Sequence, residues 1–208
     1  MNFSMLSIVN STISGNTAAL DGGGIRNGGI ATLYNSTVAF NEADSDADPN
    51  GGRGGGVWND PFGTLAIRNS VLAGNYRSGS PVADDCYGDL GAYGHNRFGS
   101  FTGCTIAHTG GCGGTDLLLA SLNELGPLQY NGGVTPTHAI QPGSSLIDDV
   151  DAPCICQNQF ANPITLDQRD GSRVVGARCD VGAYELGALP SNLIFADGFE
   201  WGSIALWD

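Results

Sequence analysis

Positive charge is scarce in this 208-residue chain: eight basic residues stand against 21 acidic ones, a formal net charge of −13. That balance repels polyanions and anionic membrane surfaces, which argues against a nucleic-acid-binding function. Cysteine is missing from the first 85 residues, and all six cysteines lie at positions 86, 104, 112, 154, 156 and 179. No apolar run is long enough to span a membrane, and residues 1–9 lack the basic and apolar regions of an export leader. An exported form of this chain is therefore expected to be a fragment or a mature product. An acidic surface suits extracellular life, bound Ca2+, or neutral and cationic ligands.

What the chain does have is repetition. Asn10-Ser-Thr-Ile-Ser-Gly-Asn16 returns as Asn35-Ser-Thr-Val-Ala-Phe-Asn41 and again as Asn69-Ser-Val-Leu-Ala-Gly-Asn75, with starts 25 and 34 residues apart. Gly22-Gly-Gly-Ile-Arg-Asn27 likewise answers Gly54-Gly-Gly-Val-Trp-Asn59. Apolar residues alternate with small or polar ones between these turns, the period of a strand. Most of the extra length in the second interval falls between Asn41 and Gly54, as an insertion in one turn of a solenoid would. The reading is an all-β chain, a parallel β-helix with one coil per repeat, over residues 1–186. Residues 187–208 form a linker and a C-terminal capping tail. Winding requires Ile13, Val38 and Leu72 to stand one above another.

Asparagine tolerates left-handed backbone angles at corners, and its side-chain amide can bond the next coil. Asn10, Asn35 and Asn69 are read as one such stack, and Asn16, Asn41 and Asn75 as a second. Residues 3–9 look like a strand that begins mid-structure, with Phe3, Met5 and Ile8 facing inward. An uncapped first coil leaves unpaired backbone and an apolar cross-section, so either a missing upstream segment or end-to-end self-association through it is expected.

Candidate chemistry falls in three places. Asp44, Asp46, Asp48 and Asn50 alternate like the opening of a calcium loop, where hard oxygen ligands converge, although Pro49 and Gly55 occupy positions that an EF-hand gives to Gly and Glu. Trp58, Phe62 and Tyr76 could present an aromatic patch to a sugar face. Asp84, Asp85, Asp89, His95 and Arg97 form the densest mixture of ionisable groups, suited to acid and base work or to Ca2+-assisted proton abstraction from a sugar, or alternatively to disulfide-anchored corner structure. Cys104 follows Cys86 by 18 residues, about one short coil, so those two are a plausible staple. Cys112 is free to pair with Cys104 or Cys154, and either Cys154 or Cys156 with Cys179 would close the loop holding Asp167-Gln-Arg169-Asp170. His138, among alternating residues, reads as a hydrogen-bonded wall residue. A short helix over 116–125 is stopped by Gly126-Pro127, and residues 145–147 look like a strand.

The Asn-Ser-Thr-Ile-Ser-Gly-Asn and Gly-Gly-Gly-Ile phrases, with Leu125-Gly-Pro-Leu-Gln-Tyr-Asn-Gly-Gly133, Thr135-Pro-Thr-His-Ala139, Asp167-Gln-Arg169 and Cys179-Asp-Val-Gly-Ala-Tyr-Glu185, resemble bacterial exported proteins of the CSLREA and choice-of-anchor type. The resemblance covers nearly all of residues 8–186. It implies a right-handed, pectate-lyase-like β-helix that is secreted or displayed on the cell surface. Asn10, His138, Asp167, Arg169 and Cys179 follow the coils and lid of such proteins, and the regular calcium aspartates and catalytic arginine of pectate lyases have no counterpart in this sequence. The function expected is an extracellular scaffold that binds carbohydrate or mediates adhesion, with a polysaccharide or surface glycan as partner. The alternative is a Ca2+-assisted polysaccharide lyase or a glycoside hydrolase.

Overall fold

Short apolar-alternating runs satisfy their backbone groups only by pairing with other runs, and a repeat supplies partners at fixed offsets. The computed structural model describes residues 1–48, 51–80, 82–109, 116–119, 121–150, 156–158 and 160–190, and among them the only helical element is one 3-10 turn, Leu122–Glu124. The first repeat contributes β1 (Met5–Val9), β2 (Thr12–Ser14) and β3 (Ile25–Asn27). The second contributes β4 (Ile30–Tyr34), β5 (Thr37–Ala39), β6 (Glu42–Ala43) and β7 (Val57–Asn59). The third contributes β8 (Thr64–Arg68), β9 (Val71–Ala73), β10 (Tyr76–Arg77) and β11 (Cys86–Ala92). Shorter turns follow with β12 (Arg97–Phe98), β13 (Cys104–His108) and β14 (Leu117–Leu118).

Equivalent strands pair side by side, parallel and in register. One sheet runs through β1, β4, β8, β11 and β13, a second through β3, β7 and the start of β11, and a third through β2, β5, β9, β12 and β14. In the third, Ile13, Val38, Leu72 and Phe98 stand in one column, as the repeat requires. All three sheets face a common core that includes Val57, Leu33, Ile67, Leu72 and Phe98, each fully buried and each contributing on the order of 2 kcal/mol by leaving water.

The first strand departs from expectation. Phe3 and Met5 are 72% and 79% exposed, while Leu6 and Ile8 pack on the core. Pairing sets Leu6 opposite Ala31 and Ile8 opposite Leu33, so the two-residue period turns Met5 outward beside Ile30.

The third sheet is buried on both faces. Its outward residues Ala39, Val71 and Ala73 form a second core with Leu125, Ile140, Leu146, Val150 and Val181 from the C-terminal part of the chain. This explains why β5 and β9 show no polar alternation. Residues 125–140 form an antiparallel pair, β15 (Leu125–Gln129) and β16 (Thr137–Ile140). Residues 145–147 are a turn instead of the expected strand. The helix expected over 116–125 shrinks to the single 3-10 turn, because Leu117 and Leu118 are drawn into the third sheet beside Arg97 and Phe98. Ala188 and Pro190 are buried, so residues 187–190 pack instead of hanging free. The last linker residue, 191, and the expected capping tail, 192–208, lie outside the described residues, as do Cys112 and Cys154.

Among the described residues two disulfides staple the irregular end. Cys86–Cys104 joins β11 to β13 with a Cα–Cα distance of 5.5 Å, and Cys156–Cys179 closes the loop around Asp167 and Arg169 at 6.2 Å. Such bonds persist in oxidising compartments and fit an extracellular protein. Among the described residues no helix is long and apolar enough to cross a membrane.

Corners are set by the side chains the repeat conserves internally. Asn10, Asn35 and Asn69 take φ of 48°, 49° and 50°. Asn16 donates to the Asn41 Oδ1 at 2.9 Å, Asn41 to the Asn75 Oδ1 at 2.9 Å, and Asn75 to the Asp85 Oδ1 at 2.8 Å. A further stack, through Asn2, Asn27 and Asn59, had no counterpart in the sequence reading. The glycine runs have a packing reason as well: a Cβ on Gly23 would run into the Glu42 carbonyl, and one on Gly55 into that of Tyr76.

Candidate functional site

The five residues expected to act as acid, base or ligand are distributed over different parts of the molecule. Adjacent residues in extended chain point to opposite faces, so Asp84 and Asp85 part company. Asp85 is fully buried at the end of the asparagine stack, and burial raises its pKa to about 7 against the opposing effect of the Asn75 hydrogen bonds. Asp84 turns outward, where its Oδ2 accepts from the Gly54 amide at 3.0 Å. Burial pushes its pKa up, while the Gly54 amide, Arg77 and Arg53 pull the other way. The Asp89 side is exposed, and only its backbone carbonyl is engaged, by Asn59 at 2.7 Å. His95 and Arg97 are buried against the C-terminal region, where Arg97 meets the Asp149 carboxylate at 2.5 Å and His95 approaches it at 3.6 Å. Burial alone would raise Asp149, but His95 and Arg97 hold it below the usual carboxylate range.

In the described part of the acidic loop the expected calcium ligands do not share one environment. Asp44 is buried with Oδ1 lacking a hydrogen-bond partner, whereas Asp46 and Asp48 are exposed, and Asn50 lies outside the described residues. The loop reverses between them, with the Ala47 amide bonded back to the Asp44 carbonyl, so the alternation of an extended segment is lost. Among the described residues no group of three or more His, Cys, Asp or Glu side chains could hold a metal ion.

The three aromatic residues sit on different elements, Trp58 on β7, Phe62 on a turn and Tyr76 on β10. Phe62 is 94% exposed on the tight turn closed by the Gly63 amide and Asp60 carbonyl, and Tyr76 reaches across to Glu42 at 3.4 Å. Trp58 instead sits in the middle of a column. Register places Arg26 on one side of it and Tyr87 on the other, all half-exposed on the outer face of the second sheet. The Arg26 guanidinium lies 4.7 Å over the Trp58 ring, and the Arg53 guanidinium 5.0 Å over that of Tyr87. Such contacts contribute about 1 kcal/mol each at partly exposed sites. Next to Tyr87 the surface dips into a cleft of about 130 Å3, lined by Arg53, Arg77, Asp84, Tyr87 and Thr102. All eight basic residues of the chain are arginine, and three of them, Arg97, Arg169 and Arg173, are buried, so this face gathers three of the remaining five.

No known protein family, curated protein or solved structure matches the chain.

The C-terminal motifs account for themselves structurally. Arg169 donates to the Asp167 Oδ2 through Nε at 2.9 Å and Nη2 at 2.6 Å, to the Glu185 carbonyl at 2.7 Å, and lies 3.7 Å over the Tyr184 ring. Glu185 in turn accepts from the amides of Val174, Val175 and Asp180, and Arg173 reaches Asn10 at 2.8 Å. Arg169 thus pins its loop through Asp167, while the other flanking acid, Asp170, takes no part in that fork. Arg26, Arg53, Arg77 and Tyr87 were missed as surface residues. The signal for two of them was present, since aligning Ile25-Arg-Asn27, Val57-Trp-Asn59 and Cys86-Tyr87 stacks Arg26, Trp58 and Tyr87. Arg53 and Arg77 come from loops whose meeting no periodicity announces.

Proposed function

We propose that the chain is a right-handed parallel β-helix of the kind displayed by the exported bacterial proteins its motifs resemble, and that it works outside the cell as a carbohydrate-binding scaffold. The observation that carries the binding role is the in-register column of Arg26, Trp58 and Tyr87 running into the Arg53–Arg77–Asp84 cleft. Half-exposed aromatic rings beneath guanidinium donors, with a carboxylate acceptor nearby, offer a sugar ring apolar surface and hydrogen-bond partners side by side. Strands in a sheet repeat at about 4.8 Å, so a polymer lying along the stack meets a new side chain at each step. The net charge of −13 disfavours approach of polyanions, which points to neutral polysaccharides.

Affinity electrophoresis through gels containing neutral plant and microbial polysaccharides tests this. At least one polymer should retard the wild type, and Trp58→Ala should weaken that retardation roughly tenfold in Kd, equivalent to about 1.4 kcal/mol. Absence of retardation on every polymer, or equal retardation of wild type and Trp58→Ala, refutes the reading.

A further inference from the structure

Ser14 and His138, 124 residues apart in sequence, meet where β16 crosses the outer face of the third sheet. The Ser14 Oγ lies 2.8 Å from the His138 Nε2, and the His138 Nδ1 lies 2.7 Å from the Gly126 carbonyl oxygen. A carbonyl can only accept, so Nδ1 carries the ring proton. The buried, 3% exposed imidazole is neutral, because desolvation lowers its pKa. Nε2 therefore presents a lone pair, and the Ser14 hydroxyl donates to it. The ring is fixed further by Phe40, whose centroid lies 5.1 Å away.

Of these three groups the hydroxyl opens onto space, with the buried base and its acceptor behind it. Ser14 lines a cleft of about 500 Å3 between β2 and the C-terminal region, within the usual range for small-ligand sites. Leu128 and Pro136 give it an apolar wall, and Thr12, Thr135 and Gln168 a polar one. The polar side is ordered: Thr12 donates to the Gln168 Oε1 at 2.6 Å, and the Gln168 Nε2 donates to the Thr135 hydroxyl at 2.9 Å. β2 is the end strand of its sheet, so alternate backbone amides on its free side point away from any partner strand and can meet developing negative charge.

We infer that Ser14 and His138 form an esterase centre that takes short acyl esters of polyhydroxylated alcohols. The Ser14 Oγ attacks the ester carbonyl carbon while its proton passes to the His138 Nε2. The ester C–O bond then breaks, and the leaving alcohol oxygen takes that proton. Water, giving a proton to Nε2, attacks the acyl-serine, and Ser14 leaves with the proton as the carboxylic acid is released. The balance is ester plus water to acid plus alcohol, with no further reactant. The acyl group lies against Leu128 and Pro136, and the alcohol faces Thr12 and Gln168. This centre is independent of the Trp58 column.

Labelling with a fluorophosphonate, followed by intact mass and peptide mapping, tests the centre directly. One adduct is expected, on Ser14. Ser14→Ala should lose the adduct and its turnover of p-nitrophenyl acetate while keeping its thermal transition, because alanine already occupies the matching positions 39 and 73 in the next two repeats. His138→Gln should slow labelling by roughly 100-fold or more, the contribution of a general base. If Ser14 stays unlabelled at concentrations that fully label a known serine esterase, the inference fails. It fails equally if the adduct maps elsewhere, or if Ser14→Ala retains full turnover. His138→Gln is informative only if it folds, and Ser14→Ala with mass mapping decides the matter without it.

Discussion

Asp85 gives the sharpest test of the stacked corners. It ends the series Asn16, Asn41, Asn75 as a carboxylate instead of an amide, fully buried, with Oδ1 accepting from the Asn75 amide at 2.9 Å and side chain at 2.8 Å. Its Oδ2 has no well-formed hydrogen bond, although the Ser100 amide lies near enough to favour the ionised form. Burial outweighs these bonds and moves its titration from 3.8 to about 7. Below the lower value the group is neutral folded and unfolded, and contributes nothing. Between the two, the folded chain keeps a proton that the unfolded chain has released, so stability falls as pH rises. Above about 7 the loss is complete, on the order of 4 kcal/mol. Asp85→Asn keeps the Oδ1 acceptor, continues the asparagine series and removes the charge. Relative to this variant, the wild type should lose roughly 3 kcal/mol between about pH 5 and about pH 8. In urea unfolding that separates the two midpoints by on the order of 1 M more at the higher pH. Asp84, Asp180 and Glu185 are also raised by burial, but they are common to both proteins and largely cancel in the difference. A midpoint difference that stays constant across that range would mean Asp85 is ionised throughout, and would refute the argument.

Removing the Cys86–Cys104 bridge by a double serine substitution should cost about 3 kcal/mol for a separation of 18 residues, seen as a lower thermal midpoint; an unchanged midpoint would show that the β11–β13 contact does not depend on it. Arg169→Lys keeps the charge but loses the fork on Asp167 and one of the bonds to the Asn131 and Glu185 carbonyls, so roughly 2–4 kcal/mol of stability should go; equal urea midpoints for the two proteins would mean that the fork is not what holds the loop.

The sequence by itself determined the parallel stacking. The triple phrase places Ile13, Val38 and Leu72 in register and puts asparagine at the left-handed corners, because a strand's two-residue period and a corner's backbone demand are local and repeat with the chain. Even there a local ambiguity survived: Met5 and Leu6 are both apolar, and only pairing with Ile30 and Ala31 decided which faced the core. The acidic cluster shows the opposite limit. Asp84, Asp85 and Asp89 are neighbours in sequence, yet one joins an arginine cleft, one ends a buried amide stack and one meets solvent. Tertiary structure alone decided what met from far apart in the chain: the second core over Val71, the Asn10–Arg173 contact, and the meeting of Ser14 with His138. These depend on how the C-terminal region settles on the outer face of a sheet, and no periodicity encodes that docking, since it is chosen by burial of surfaces that carry no common repeat.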